Sequence, residues 1–399
     1  MKRIFIVIFG SLCLLCNTLA QEQETKLKIS GYIQTQLQYG EKDASLKIGS
    51  SNENKDKSFS RIGIRRGRMK FTYEEHVFSG VFQFDITERG VGLRDAYLNI
   101  KDPWAGTCSF KAGVFDRPFG YEISYSSSRR ESPERSTIFQ TLFPEERDLG
   151  AMITLQAPKT SPLNFLKLEA GLFAGNGIKQ ETDSRKDFIG HLSAGKNIGN
   201  NLKFGLGASY YNGSVYQGTK NVYVMKGDGF ELNSNEGNIG KFAKREYFGF
   251  DAQFNLISIL GMTQVRGEYL WGAQPAVASA SKSPNASSLP ATDTYIRDFS
   301  GGYVMLVQDL GISPVSIVAK YDWYDPNTKV SGNQIGLNET TKGDIAYNTF
   351  GLGLLWRANN NIRLQAYYEI VSNEKSENLV AYSKDGKDNM FTLRLQYKF

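Results

Sequence analysis

The sequence FTLRLQYKF, residues 391–399, alternates without a break. Side chains along a β-strand point to opposite faces in turn. Phe391, Leu393, Leu395, Tyr397 and Phe399 therefore share an apolar face, and Thr392, Arg394, Gln396 and Lys398 a polar one. An edge strand of a soluble sheet is normally blunted by charge or proline on its exposed face; this apolar face is uninterrupted. The same period recurs upstream. Leu202, Phe204, Leu206, Ala208 and Tyr210 oppose Lys203, Gly205, Gly207 and Ser209. Phe350, Leu352, Leu354 and Trp356 oppose Thr349, Gly351, Gly353 and Arg357, and Ile362 to Ile370 repeats the pattern.

Local alternation fits two architectures. A soluble sandwich packs its apolar face on a second sheet and wets the other. A membrane barrel turns the apolar face to lipid and encloses a wet lumen. The connections separate them. Strands are expected near 27–39, 62–74, 81–87, 94–100, 108–115, 149–157, 164–174, 188–197, 202–211, 246–255, 263–273, 298–308, 315–324, 347–357, 362–372 and 389–399, an even sixteen. Connections 40–61, 116–148, 212–245, 274–297, 325–346 and 373–388 are long, those such as 198–201 and 358–361 are short, and 88–93 is a short one in a long position. Loops beyond about 12–15 residues are uncommon in compact soluble domains, and here they fall at one end of the sheet. The pattern predicts an all-β, 16-stranded antiparallel transmembrane β-barrel, which satisfies its backbone in lipid by closing on itself. Outer-membrane barrels of Gram-negative bacteria end on such a strand. Phe399 reads as the terminal aromatic that addresses the barrel insertion machinery.

Composition agrees. The 25 Phe, 21 Tyr and 40 Gly against 11 Pro suit β-structure and supply aromatic girdles at two membrane surfaces. Lys2 and Arg3, an apolar run from Ile4 to Cys16, and small residues Thr18 and Ala20 before Gln21 have the three-part form of a cleaved signal peptide over residues 1–20. The apolar run is short of the roughly 20 residues a helical span needs, and no later stretch supplies them. Residues 21–399 are expected as one barrel domain in the bacterial outer membrane, with Cys108 as its single cysteine and hence no internal disulfide. The mild net charge of +6 suggests no nucleic-acid partner. The only histidines are His76 and His191; no Cys/His metal spacing exists, and no cofactor is expected. His191 and Ser193 share a face, but a nearby serine is more often a small lumen residue, so the chain reads as a non-enzyme. The strand pattern begins by Leu27, leaving no room for a plug domain.

Three blocks between Leu93 and Gly150 carry a resemblance: LRDAYLNI, KAGVFDRPFGYE and SPERSTIFQTLFPEERDLGA. Asp95, Ala96 and Tyr97, then Gly113, Phe115, Pro118, Phe119, Gly120 and Glu122, then Glu134, Arg135 and Ser136, and finally Arg147, Asp148 and Gly150 stand in the order and spacing of the phosphate-selective porin O/P family, abundant in Bacteroidetes. IGIRRGRMKF from Ile62 and YDWYDP from Tyr321 are also similar to that family. The resemblance covers essentially the whole mature chain. It implies a 16-stranded barrel, often a homotrimer, whose third long loop folds inward and narrows a water-filled pore for phosphate or other small anions.

Placing lipid on the apolar parity assigns the lumen. Basic candidates are Lys28, Arg66, Arg68, Lys70, Lys111, Lys167, Lys203, Arg266, Lys320, Arg357, Arg363, Arg394 and Lys398. Acidic ones are Asp85, Asp95, Glu169, Asp251, Glu268, Asp322 and Glu369. An excess of cations in a narrow, low-dielectric passage favours anions, and arginine offers paired donors to phosphate oxygens. Alternatively, these cations pair with carboxylates across the wall and only hold it together. The inserted loop carries Arg117, Arg129, Arg130, Arg135 and Arg147, but also seven carboxylates. Either its carboxylates anchor it while Arg129, Arg130 and Arg135 face the pore, or the constriction is of mixed charge, as in a general porin. A structural or adhesive barrel is the remaining alternative, with 212–245 as a recognition surface and 274–297 as a flexible cover.

Overall fold

The computed structural model describes residues 26–399; the expected signal segment lies outside them. The strands are β1 (Lys26–Gly40), β2 (Phe59–Glu75), β3 (Phe78–Thr87), β4 (Gly90–Lys101), β5 (Cys108–Asp116), β6 (Arg147–Gln156), β7 (Leu166–Phe173), β8 (Asp187–Ile198), β9 (Leu202–Tyr216), β10 (Asn221–Lys226), β11 (Gly229–Ser234), β12 (Phe242–Ser258), β13 (Gly261–Ala276), β14 (Thr294–Asp309), β15 (Val315–Asp325), β16 (Tyr347–Arg357), β17 (Ile362–Asn373) and β18 (Met390–Lys398). Each barrel strand pairs antiparallel with the next. β9 pairs directly with β12, and β18 returns to β1, so sixteen strands close the barrel. β10 and β11 form a hairpin outside it, in a region expected as loop. β10 lies parallel beside the outer end of β14, with Val222 to Val224 opposite Thr294 to Ile296. No described helix is long and apolar enough to cross a membrane.

The terminal strand has the two faces its sequence requires. Leu395, Tyr397 and Phe399 are about half exposed on the outer wall, while Thr392, Arg394 and Gln396 are buried inside. β1 does the same, with Leu27, Ile29, Ile33 and Leu37 outside and Gln34, Gln36 and Gln38 inside. Turns at one end are short, such as 76–77 and 259–260; at the other end lie 41–58, 117–146, 174–186, 217–241, 277–293, 326–346 and 374–389, with 88–89 as the short exception.

Strict alternation fails at two arginines. Gln34 pairs with Arg66 and Thr35 with Ile64, so Arg65 is an extra residue; Gln83 pairs with Asp95 and Phe84 with Leu93, so Arg94 is another. A bulge changes the facing parity of all that follows. Ile62 and Leu93 consequently sit outside and exposed, where unbroken alternation would direct them inward.

The lumen is also not wholly wet, as a polar inner parity suggests. The 117–146 connection folds into the barrel and carries helix α1 (Thr137–Leu142). Ile138, Phe139 and Leu142 lie on one face of α1 and are fully buried. They join Phe119 and Phe143 of the same loop and pack against inward Tyr211, Tyr247, Leu270, Phe299, Tyr303 and Tyr324. Six residues are too few for an isolated helix. Burial of such side chains, about 2 kcal/mol each, holds it, and Pro144 follows where it ends. Around α1 the barrel interior thus holds an apolar core that draws residues from β5 to β17, with charged side chains of the same strands buried beside it.

Candidate functional site

The 117–146 loop is bound to the wall around much of the barrel. Gly120 N–H donates to Ser209 Oγ (2.8 Å), Tyr121 N–H to Glu268 (2.7 Å) and Thr137 N–H to Asp322 (3.1 Å). On the opposite side, Gln34 and Gln396 donate to the carbonyls of Ser127 and Ser128 at 3.0 and 3.1 Å. Its carboxylates take wall cations. Glu122 meets Lys320 (3.1 Å), Glu131 meets Arg266, and Glu134 meets Arg65, Arg66 and Arg394 at 2.8–2.9 Å. Glu146 meets Arg94 (2.7 Å), Arg147 (2.9 Å) and its loop neighbour Arg135. Burial alone would raise the carboxyl of Glu134, but Arg65, Arg66 and Arg394 hold it well below the usual range. Glu146 is held down likewise by Arg135, Arg94 and Arg147.

The family-type motif residues are the ones that fold this loop. Gly120 has a left-handed φ of +61°, and a Cβ there would collide with the Glu268 carboxylate. Pro118 and Phe119 are buried, with Phe119 against Phe143 at 5.0 Å. Asp95 accepts from Arg147 (3.0 Å), and Asp148 forms an ion pair with Arg117 (3.2 Å). At Gly150 the ring of Phe173 leaves no room for a Cβ. Tyr97 packs its ring under Lys111, whose ammonium lies 5.0 Å from the centroid.

Beside the apolar core lies a cavity of about 700 Å³ against β2 to β4, floored by the loop. Its lining includes nine cations: Lys47, Arg65, Arg66, Arg68, Arg89, Arg94, Arg135, Lys179 and Lys282. Four carboxylates join them: Asp85, Glu134, Glu145 and Glu146. The candidates divide accordingly. Arg66, Arg68 and Arg135 line this chamber, and Arg68 also pairs with Asp85 (3.2 Å). Lys70 and Lys111 are half-buried on the inner face but do not line it. Arg129 is exposed. Arg117 and Arg147 are more than nine-tenths buried in ion pairs, so they brace the two ends of the loop instead of lining the chamber. Arg130 is buried with no hydrogen-bond partner for any guanidinium nitrogen. Sequence reading missed Arg65 and Arg94, which only bulges turn inward, and the loop cations Lys47, Arg89, Lys179 and Lys282. His191 pairs with Asp251 (3.0 Å). The 277–293 connection is tied down, with Ser283 N–H donating to the Thr141 carbonyl (3.0 Å) and Arg297 to those of Val277 and Ala278; it is not the loose cover its composition suggests.

A closed sixteen-strand barrel narrowed by an inward third long loop is the porin fold. The chain is similar in fold to the outer membrane channel DcaP of Acinetobacter baumannii (TM-score 0.56, 12% identity, covering 94% of this chain and 97% of that one). It is likewise similar to an anion-selective porin from Comamonas acidovorans (0.56, 12%, 94% and 100%) and to the trimer form of OmpT, an outer membrane protein of Vibrio cholerae (0.54, 13%, 94% and 100%). No protein-family model matches the chain, and no curated protein sequence does.

Proposed function

We propose that this chain is an outer-membrane diffusion pore, exported through a cleaved signal, that favours small anions such as phosphate. The observation that carries the reading is the chamber wall, with nine cations against four carboxylates. The apolar core around α1 occupies part of the lumen beside this chamber. Low-dielectric walls then focus the field of Arg65, Arg66, Arg68 and Arg94. The O/P-type motifs and the anion-selective relative in fold agree with it, though the relative's 12% identity speaks to fold only.

A homotrimer belongs to the same proposal. β3 to β7 span 8–12 residues and β15 to β18 span 9–12, against 15–17 for β1, β2, β9, β12, β13 and β14. The stacked outer row Phe248, Trp271, Tyr269, Trp323 and Tyr321 runs from the tall strands β12 and β13 to the shorter β15. The β3–β7 wall is low and carries none of that row, which suits burial against two further copies, while the side that carries the row suits lipid.

Reconstitution into planar bilayers under a salt gradient tests the pore. Steady channels with an anion-selective reversal potential are expected. Cation selectivity overturns the preference, and absence of conductance favours a structural barrel. Phosphate blocking chloride current at low concentration separates phosphate selectivity from general anion passage. The mutual pairing of loop carboxylates and wall arginines supports a second, mixed-charge reading, which a reversal potential near zero would establish.

A further inference from the structure

A second cavity, of about 360 Å³, lies on the far side of α1 from the basic chamber, beneath the outer loops. Thr137 and Thr141, on the face of α1 turned away from its buried residues, line one side. Ser281, Tyr324, Tyr347 and Tyr382 line the rest. Tyr324 donates to Ser281 Oγ (2.9 Å) and Tyr347 to the Tyr382 hydroxyl (3.3 Å). Thr141 donates to the Thr137 carbonyl (2.9 Å); each hydroxyl has one donor and two acceptor positions, so these contacts leave acceptor positions throughout the set and the Ser281 and Tyr382 donors free among the described residues. Lys282 and Lys342 also line the cavity, and neither ammonium has an ion pair or hydrogen bond among the described residues. No carboxylate lines it.

We infer that this cavity is a binding site for a small polyhydroxylated anion, a sugar bearing an acidic group. Three features together select that chemistry. The dense hydroxyl lining matches a polyol, which needs partners that both donate and accept. The tyrosine rings offer apolar faces to a sugar's C–H surface. Lys282 and Lys342, exposed and with no carboxylate in the lining, supply the counter-charge for a carboxylate or phosphate. Plain inorganic anions would leave the phenols unused, and neutral sugars would gain nothing from the two ammoniums. Its floor is Tyr324 and α1, behind which lies the apolar core. The site is therefore a cup in the outer mouth that shares Lys282 with the basic chamber, and sugar binding to it is measured separately from the pore's anion preference.

Calorimetric titration of the full folded protein in detergent tests it, with glucuronate, glucose 6-phosphate, glucose and acetate as probes. At least one of the two sugar acids should bind about tenfold more tightly than glucose, which lacks the charge, and than acetate, which lacks the hydroxyls. Lys342→Gln should weaken the favoured sugar acid about tenfold and leave glucose unchanged. Tyr382→Phe should weaken both the sugar acid and glucose but not acetate. Heat-modifiable gel mobility checks that each variant remains a folded barrel. Equal affinity for acetate and the sugar acids, no measurable sugar-acid binding, or indifference to Lys342→Gln overturns the assignment.

Discussion

Gly120 sits at φ +61° with the Glu268 carboxylate where a side chain would begin, and that carboxylate accepts from the two amides that follow. Gly120→Ala would bring a left-handed cost of about 1–2 kcal/mol together with displacement of Glu268. The first turn of the loop should then leave the β9–β13 wall, and single-channel conductance should rise. Unchanged conductance would show that this turn does not set the constriction. Much of this residue's setting was legible. Its place between Pro118-Phe119 and Glu122 marked it as a motif glycine, and Glu268 fell on the inner parity. Arg65 and Arg94 were not legible, because a bulge adds one residue to one strand and leaves no trace in a count of alternating residues. Arg130 was legible as a cation of the inserted loop, but its burial depends on how the loop closes over it.

At the scale of elements, the strands were readable because one face meets lipid and the other does not, and that contrast is written in every second residue. The hairpin of β10 and β11 was missed because each strand has six residues and neither faces lipid. The available signal was the pair Gly227-Asp228 between NVYVMK and GFELNS, with Gly227 at φ +63°, a two-residue turn of the kind that joins antiparallel strands. The apolar core inside the barrel was hidden for a different reason: Tyr211, Tyr247, Phe299 and Tyr303 lie on the inner parity, and aromatic residues also serve girdles. What docks the inserted loop is chiefly Glu134, which neutralises three wall arginines. Glu134→Gln would leave Arg65, Arg66 and Arg394 facing one another in a buried site. Removing one member of a buried charge cluster costs about 3–5 kcal/mol, and here that cost opposes docking of the loop. Trypsin should cut the variant within 117–146 while leaving the wild type intact. Equal resistance would show that the apolar contacts of α1 suffice without the ion pairs.

At the scale of the whole molecule, the charge network fixes how the pore should answer to pH. The carboxyls of Glu134 and Glu146 are held below the ordinary glutamate value of 4.5. Groups with depressed folded values stabilise the docked loop at any pH above the unfolded value and lose that contribution only as pH falls through the folded one. Docking should therefore be indifferent to a change from about pH 7 to about pH 5. Asp388, in the outer loop 374–389, behaves oppositely. Burial first, then Asp385, Asp43 and Glu41, raise its carboxyl to about 6. The folded state binds that proton more tightly than the unfolded one, so its contribution to stability grows as pH falls through about 6 and levels off below the ordinary aspartate value of 3.8. The same proton removes one negative charge from the rim. Reversal potentials measured at the two pH values should show anion preference equal or slightly greater at the lower one, with steady conductance at both. A large rise in anion preference on acidification, with unsteady conductance as the loop loosens, would mean that the loop carboxylates do take up protons in this window and that arginine pairing does not hold them charged.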